Sequence, residues 1–563
     1  MLIRTKLPRA HGLDEPMLHS NHARPVTRRD FVSAGLIKGP AIVAAGGLLT
    51  MLARSGQLYA ATSTMSDQMQ AMTNAQNCNV VPGKNKIPFI CFDLAGGANL
   101  NGSEILIGGK GGQLDFLSTA GYGKLGLPGD MVPNAPNAAS TTNNFISNAF
   151  GAAFHSDGAI LRGMLERTSP TTQANTNGCS IAARSENDTG NNPHNPMYGI
   201  LKAGAGGELL NLIGSQASDS GGNSMAPAAM IDLANRPTKV DRSSDVTGLV
   251  DTGELGKMLP KGDVNAVLEA MTQLSGGVPT GAIPDPKTAP TEPIATNSKL
   301  ANINFKVRNT ELQTSVRCAY VKSADLADRF SNQGALNPDL DADIVDQSAT
   351  RGTGIFGQAE YQGDGEFRKA AAIMKMVVSG YAAAGTVTMG GFDYHDGTRA
   401  SGEMRNFRAG RCIGACLEYA ARKGVPLMVY VFSDGSLNAT NMVDSSANGR
   451  GKFGWQGDNQ STASSFFLVY NPKGRPTPTV ADASGGMGKQ IGYFRADGSI
   501  ETSSHPGANA VNLLVETVIL NYMALHGEQG NFTTLFPGQG LGSPGSRDAV
   551  TAFAPICNGT ITA

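Results

Sequence analysis

A strand–helix–strand pattern in the last third of the chain most constrains the fold. The short apolar segment GTVTMGGF precedes an amphipathic pattern from Gly402 to Lys423, in which Ile413 and Leu417 fall on one face. The run VPLMVYVF follows and contains no charged residue. A strand that is apolar on both faces is typical of a parallel sheet covered by helices on each side. The pattern therefore predicts an α/β fold, doubly wound around a mostly parallel sheet.

Outside this unit the sequence predicts further elements separated by long loops, since 71 of the 563 residues are glycine and 29 are proline. The predicted strands are Pro88–Leu94, Gly158–Met164 and a segment ending near Leu233. The predicted helical segments are a turn at 208–214, a helix entered near Met197, Lys299–Phe330, Glu366–Ala384 and NAVNLLVETVILNYMALHG. Residues 108–148 and the polar segment before Met197 are predicted loops. One α/β domain is expected over residues 87–563, with a loop and helix elaboration at about 215–365.

The first 61 residues resemble a bacterial twin-arginine signal peptide. Arg28 and Arg29 precede a weakly apolar, Gly/Ala-rich run that contains Lys38 and ends in small residues. The alternative is an N-terminal membrane anchor, for which the run is short and interrupted. The signal predicts the twin-arginine translocase as a partner during export and a location in the periplasm or outside the cell. Residues 62–86 are predicted to be a polar lead-in.

The charge of the remaining chain excludes a nucleic-acid partner. The first 60 residues hold eight of the 45 Lys and Arg and three of the 46 Asp and Glu residues, so the rest carries a formal charge near −6. No basic cluster remains that could bind a phosphate backbone. No stretch after residue 60 is long and apolar enough to span a bilayer.

The segment GGFDYHDG places an aspartate and a histidine two residues apart, directly after a predicted strand. Side chains at i and i+2 of an extended chain point to the same side, so Asp393 and His395 can face one ion while Tyr394 faces away. The alternative is a local hydrogen-bonded pair that orders the loop. The spacing alone leaves both interpretations open.

Five segments in order resemble a known family. They are FDLAGGANLNG, TGNNPHNPMYG, GGFDYHDG, VYVFSDGS and the final ETVILNYMALHG. Together they are similar to the twin-arginine-exported bacterial family called domain of unknown function 1501, of the alkaline-phosphatase and sulfatase-like superfamily. The resemblance implies a doubly wound α/β domain with one or two divalent metals at the carboxyl ends of the strands. Such ions stabilise oxyanions during hydrolysis of phosphate or sulfate esters.

The resemblance also implies site residues, and some positions depart from the family pattern. The implied metal ligands in this chain are Asp393, His395, Asp434, Asp93 and Asp458. Asn99, Asn177 and Asn459 stand where relatives have acidic or histidine ligands. Asparagine keeps a carbonyl acceptor but lacks the negative charge of a carboxylate and the nitrogen donor of imidazole. Three such changes predict a degenerate metal site. For Asp434 and Asp93 the alternatives are a turn or cap aspartate and a carboxylate that satisfies the glycine turn.

A catalytic nucleophile is also implied by the resemblance. Ser180 and Thr189 lie in the segment that supplies the nucleophile in phosphatases and sulfatases. No base is recognisable beside either residue in the sequence. In the same segment Arg184 can bind an anionic group or form a surface ion pair, and His194 can act as a ligand or bond to the backbone.

Two classes of function follow. The first is a non-catalytic binding or envelope-associated protein that keeps the fold with a degenerate site and holds no metal. The second is an exported enzyme, a hydrolase of phosphate or sulfate esters that uses one divalent metal ion.

Overall fold

A computed structural model describes residues 85–134, 144–185, 192–249, 267, 336–347, 352–479 and 489–561. Several predicted segments lie outside these residues: the signal peptide, all but two residues of the lead-in, Thr189 and the helix Lys299–Phe330. No helix within the described ranges is both long and apolar enough to cross a membrane.

Twelve strands occur in the described residues. In chain order β1 to β12 are Phe89–Leu94, Ile146–Ser147, Phe154–His155, Thr176–Ala182, Leu210–Gly214, Thr238–Lys239, Ala382–Met389, Leu427–Phe432, Leu437–Val443, Phe453–Asp458, Ser464–Tyr470 and Lys489–Ile491. Eight of them form one sheet in the order β12-β4-β11-β8-β1-β7-β5-β6. Strand β11 is antiparallel to both of its neighbours, and the other pairings in this sheet are parallel. The sheet is therefore mixed and mostly parallel, which confirms the predicted α/β class.

Eleven α-helices accompany the strands in the described part of the chain. In chain order α1 to α11 are Thr119–Lys124, Ala159–Arg167, Pro170–Ala174, Met197–Lys202, Ser243–Gly248, Gln358–Gly363, Gly365–Val378, Ala400–Lys423, Val511–Leu525, Phe532–Leu535 and Pro544–Ala549. Helix α7 packs on the sheet face that carries Gly385, whose Cα faces Ile373 and Val377. Helix α9 packs on the opposite face, where Phe89 contacts Tyr522 with ring centroids 5.9 Å apart. Helices on both faces explain why β1, β7 and β8 are buried along their whole length.

Helices α2 and α8 approach closely because glycines lie at their contact. A Cβ on Gly410 would lie 2.2 Å from the carbonyl oxygen of Ile160, and one on Gly163 would lie 2.3 Å from that of Phe407. Both distances are shorter than any van der Waals contact, so a side chain at either position would separate the helices. Helix α8 ends at Lys423, and the next residue, Gly424, has a φ of +66°, the left-handed conformation that favours glycine.

The structure corrects several predicted elements. Gly158–Met164 is not a strand: Gly158 is the N-cap of α2, and the residues from Ala159 to Met164 belong to this helix. Residues 208–214 are not helical: they contain β5, which pairs with β7. The segment ending near Leu233 forms short 3-10 turns, and the predicted loop before Met197 contains α3 and β4. Tertiary contacts determine the secondary structure of these segments, since their local hydrophobic patterns are too short to do so.

Candidate metal centre

The carboxyl ends of three adjacent parallel strands form one edge of the sheet. Strand β1 lies between β7 and β8, and these strands end at Leu94, Met389 and Phe432. The β9–β10 hairpin returns to the same edge, because Asp458 at the end of β10 pairs with Leu437 at the start of β9. Side chains that follow these strands can therefore meet, as they do at the ligand sites of open α/β sheets.

Three predicted ligands come together at this edge. One ligand atom each from Asp393, His395 and Asp458 lies within 4.8 Å of the other two. His395 Nε2 is 2.6 Å from Asp393 Oδ1, and the two side chains are 42% and 49% exposed. Tyr394 points the other way into the core, where its hydroxyl is 3.2 Å from Asn406 Oδ1. Two carboxylates and one imidazole are suitable donors for a single divalent cation, so the cluster can hold a metal ion.

Asp93 and Asp434 form a second, buried group. Asp93 Oδ2 accepts hydrogen bonds from the backbone amides of Asn223 and Ser224, at 2.7 and 2.8 Å. Asp434 accepts from the Gly96 amide at 2.8 Å and from Asn223 Nδ2 at 3.1 Å. Asn223 therefore links the two carboxylates. The glycine turn after β1 is thus bonded by Asp434, whereas Asp93 bonds to the segment that follows β5.

Burial gives Asp93 an unusual protonation equilibrium. Its side chain is fully buried, and Oδ1 has no hydrogen-bond partner among the described residues. Burial, followed by repulsion from Asp434, raises the pKa of Asp93 to about 7. A carboxyl that shares a dry site with a second carboxylate favours its neutral form.

The buried pair and the exposed cluster meet at Gly96. A Cβ on this glycine would lie 2.5 Å from the backbone nitrogen of Asp393. The Phe392 amide also donates to the Ala95 carbonyl at 3.0 Å. The glycine turn after β1 therefore supports the loop that carries Asp393 and His395.

The side chains of the three asparagines in substituted ligand positions all hydrogen-bond to backbone groups. Asn99 donates from Nδ2 to the Leu437 carbonyl at 2.7 Å and accepts from the Asn101 amide at 2.9 Å. Asn459 caps a 3-10 turn by accepting from the Ser461 amide at 3.0 Å. Asn177 lies near the amino end of β4, at the edge opposite to the cluster, and donates to the Pro476 carbonyl.

Of the two nucleophile candidates only Ser180 is described, and none of its described contacts is with the cluster. Ser180 is fully buried within β4, between β11 and β12, so it lies in the sheet and not in a loop. Thr189 is outside the described residues. His194 is buried and stacks on Phe432, and its Nε2 is 2.8 Å from Ser185 Oγ. Burial lowers the pKa of His194 to about 3, so this histidine is a neutral core residue.

Sequence reasoning missed Asn223 and Ser224, the residues that hold the buried carboxylates. They follow β5, whose short sequence predicts a helical turn and therefore gives no indication of a site after a parallel strand. The segment SGGNS after an apolar strand was the signal available in the sequence.

Comparison of the chain with models of known families, with curated proteins and with solved structures finds no match. The chemistry of the site is therefore argued from its own side chains. The cluster has three exposed donors, two on one loop and one at the end of β10, and a bound ion would keep coordination positions open to solvent.

Proposed function

We propose that this chain is an exported protein of the alkaline-phosphatase and sulfatase-like kind that binds one divalent cation and, through it, an anionic ligand. The observation that carries the proposal is the convergence of Asp393, His395 and Asp458, two residues from one loop and one from a distant hairpin. A bound cation would supply concentrated positive charge for an oxyanion. The family resemblance and the twin-arginine motif support the export and fold parts of the proposal.

Binding in preference to catalysis is supported by the residues around the cluster. Asn99 and Asn459 use their side chains to fix the backbone. Asp93 and Asp434 accept hydrogen bonds from the chain itself. Ser180 is enclosed in the sheet. Because these residues are engaged by the chain itself, the site has three donors for one ion and no nucleophile among the described residues.

Metal analysis of the full-length exported protein tests the proposal. We expect one equivalent of divalent ion by mass spectrometry, and binding of Zn²⁺ or Mn²⁺ by calorimetry after chelation. Asp393→Asn and His395→Gln should each abolish this binding. Asp396→Asn is the matched control, because Asp396 lies in the same loop but bonds to Thr398 and Ser401. Protein that binds no divalent ion would refute the proposal.

A hydrolase of phosphate or sulfate esters is the second candidate. The exposure of all three ligands favours it, since an open site can admit water and substrate together. Hydrolysis of aryl phosphates or aryl sulfates by metal-loaded protein, lost in Asp393→Asn, would establish this candidate. Metal binding without turnover would leave the binding function.

A further inference from the structure

A polar pocket lies beside the first turn of α9. Its volume is about 190 Å³, and its walls include Arg184, Asn192 and residues 509–512. Arg184 follows the carboxyl end of β4, so the pocket opens near the same edge of the sheet as the cation cluster. None of the residues of that cluster lines it.

The charge of Arg184 is not neutralised by an acidic residue in the described part of the chain. Its Nη1 donates to Asn509 Oδ1 at 2.9 Å, and its Nη2 donates to Gln460 Oε1 at 2.6 Å. Both acceptors are neutral amides. The Nε atom is buried and has no acceptor among the described residues. Two amides thus hold the guanidinium in place, and neither of them neutralises its charge.

The start of α9 adds backbone N–H donors, which favour a negatively charged ligand as the Arg184 guanidinium does. This helix has 15 residues, and Ala510 precedes it without a side-chain cap. Val511 and Asn512 line the pocket and belong to the first turn, where backbone amides have no partner within the helix. These amides and the helix dipole favour an anion.

We propose that this pocket binds an oxyanion, either a phosphate or a carboxylate group, independently of the cation cluster. Arg184 would bind it with a charge-assisted hydrogen bond, and the amides of residues 511 and 512 would bind further oxygens. Gln460, which holds Arg184, lies two residues after Asp458 in the chain. A ligand that carries two anionic groups could therefore engage both sites.

Calorimetric titration of chelator-treated, full-length protein with inorganic phosphate, and separately with acetate, tests this site without the cation. The two titrations distinguish phosphate from carboxylate preference. Arg184→Gln should reduce the affinity by at least about tenfold, the usual effect of losing a hydrogen bond from a charged group. Arg495→Gln is the control, since Arg495 is exposed and paired with Glu501, and it should leave the affinity unchanged.

Asn512→Asp separates binding from folding. An acidic residue in the first turn favours the helix, so the melting temperature should be kept or raised. The same carboxylate repels an anion in the pocket, so the affinity should fall. If neither phosphate nor acetate binds at millimolar concentration, or if both variants bind like the original protein, the proposal is wrong.

The proposed cation site and the proposed anion pocket can be refuted independently of each other. Arg184→Gln should keep its divalent ion, and Asp393→Asn should keep its phosphate or acetate binding. Loss of anion binding in Asp393→Asn would show that the anion occupies the cation cluster, which would overturn the separate site.

Discussion

The backbone amide of Gly96 donates a 2.8 Å hydrogen bond to Oδ1 of Asp434, and this bond joins the turn after β1 to the end of β8. Gly96 adopts a φ of +121°, which side chains disfavour. Its other side lies against the backbone of Asp393. One glycine therefore connects the buried carboxylate to the loop of the cation cluster.

Gly96→Ala should destabilise the protein and weaken divalent-ion binding together. The new methyl group would lie 2.5 Å from the Asp393 nitrogen, in a backbone conformation that alanine disfavours. We expect a loss of about 2–4 kcal/mol in the free energy of unfolding, measured by urea denaturation. Gly390→Ala is the control in the neighbouring loop, since a Cβ there would meet nothing within 4 Å. Equal stability of the two variants would contradict the close approach.

Asp458→Asn distinguishes a three-residue site from a local pair. If Asp393 and His395 only order their own loop, a change in the β9–β10 hairpin should not affect metal binding. The convergence of all three side chains predicts that Asp458→Asn lowers the affinity by more than about 100-fold, because even residues behind a ligand contribute 10–100-fold. Calorimetry with Zn²⁺ measures the effect. Unchanged affinity would exclude Asp458 as a ligand.

Asp93 should make the stability depend on pH. Its pKa is about 7 in the folded protein, against about 3.9 in an unfolded chain. The folded state therefore keeps a proton that the unfolded state loses, and this stabilisation is complete below about pH 4 and is lost as pH rises through about 7. Between pH 5 and 8 the original protein should lose about 2–3 kcal/mol more than Asp93→Asn.

Asparagine suits this position because its oxygen can still accept from the amides of Asn223 and Ser224. Its amide nitrogen would replace Oδ1, which has no partner among the described residues. Urea denaturation at both pH values measures the difference. The same pH dependence in both proteins would show that Asp93 is not the titrating group.

The centre of the sheet and two of the three residues of the cation cluster are predictable from the sequence. Strand β8 is apolar throughout and β1 is apolar except for Asp93, and the i, i+2 spacing of Asp393 and His395 indicates a shared direction. Asp458 could be proposed only from the family resemblance, because its approach depends on how the β9–β10 hairpin pairs. A register between distant residues leaves no local pattern.

The outer strands were harder to predict for a physical reason. Strand β4 reads TNGCSIA, yet every residue in it is buried between β11 and β12. Thr176 and Asn177 bond to the carbonyls of Thr172 and Pro476, so burial does not require an apolar residue at these positions. In such strands, pairing with the neighbouring strands outweighs the intrinsic β-propensity of the residues.

Asn99→Asp tests whether the site has lost a ligand at this position. Asn99 is fully buried, and its Nδ2 donates to the Leu437 carbonyl at 2.7 Å. A carboxylate would replace that donor with a second acceptor, which should cost about 2–4 kcal/mol in the free energy of unfolding. Asn459→Asp is the matched control, because aspartate caps a turn as well as asparagine does and should change stability by less than about 0.5 kcal/mol.

Asn99→Asp should also leave Zn²⁺ affinity no higher than in the original protein, since the side chain at 99 faces the backbone of Leu437 and Asn101. A marked gain in affinity would instead identify position 99 as a ligand position that the chain has given up.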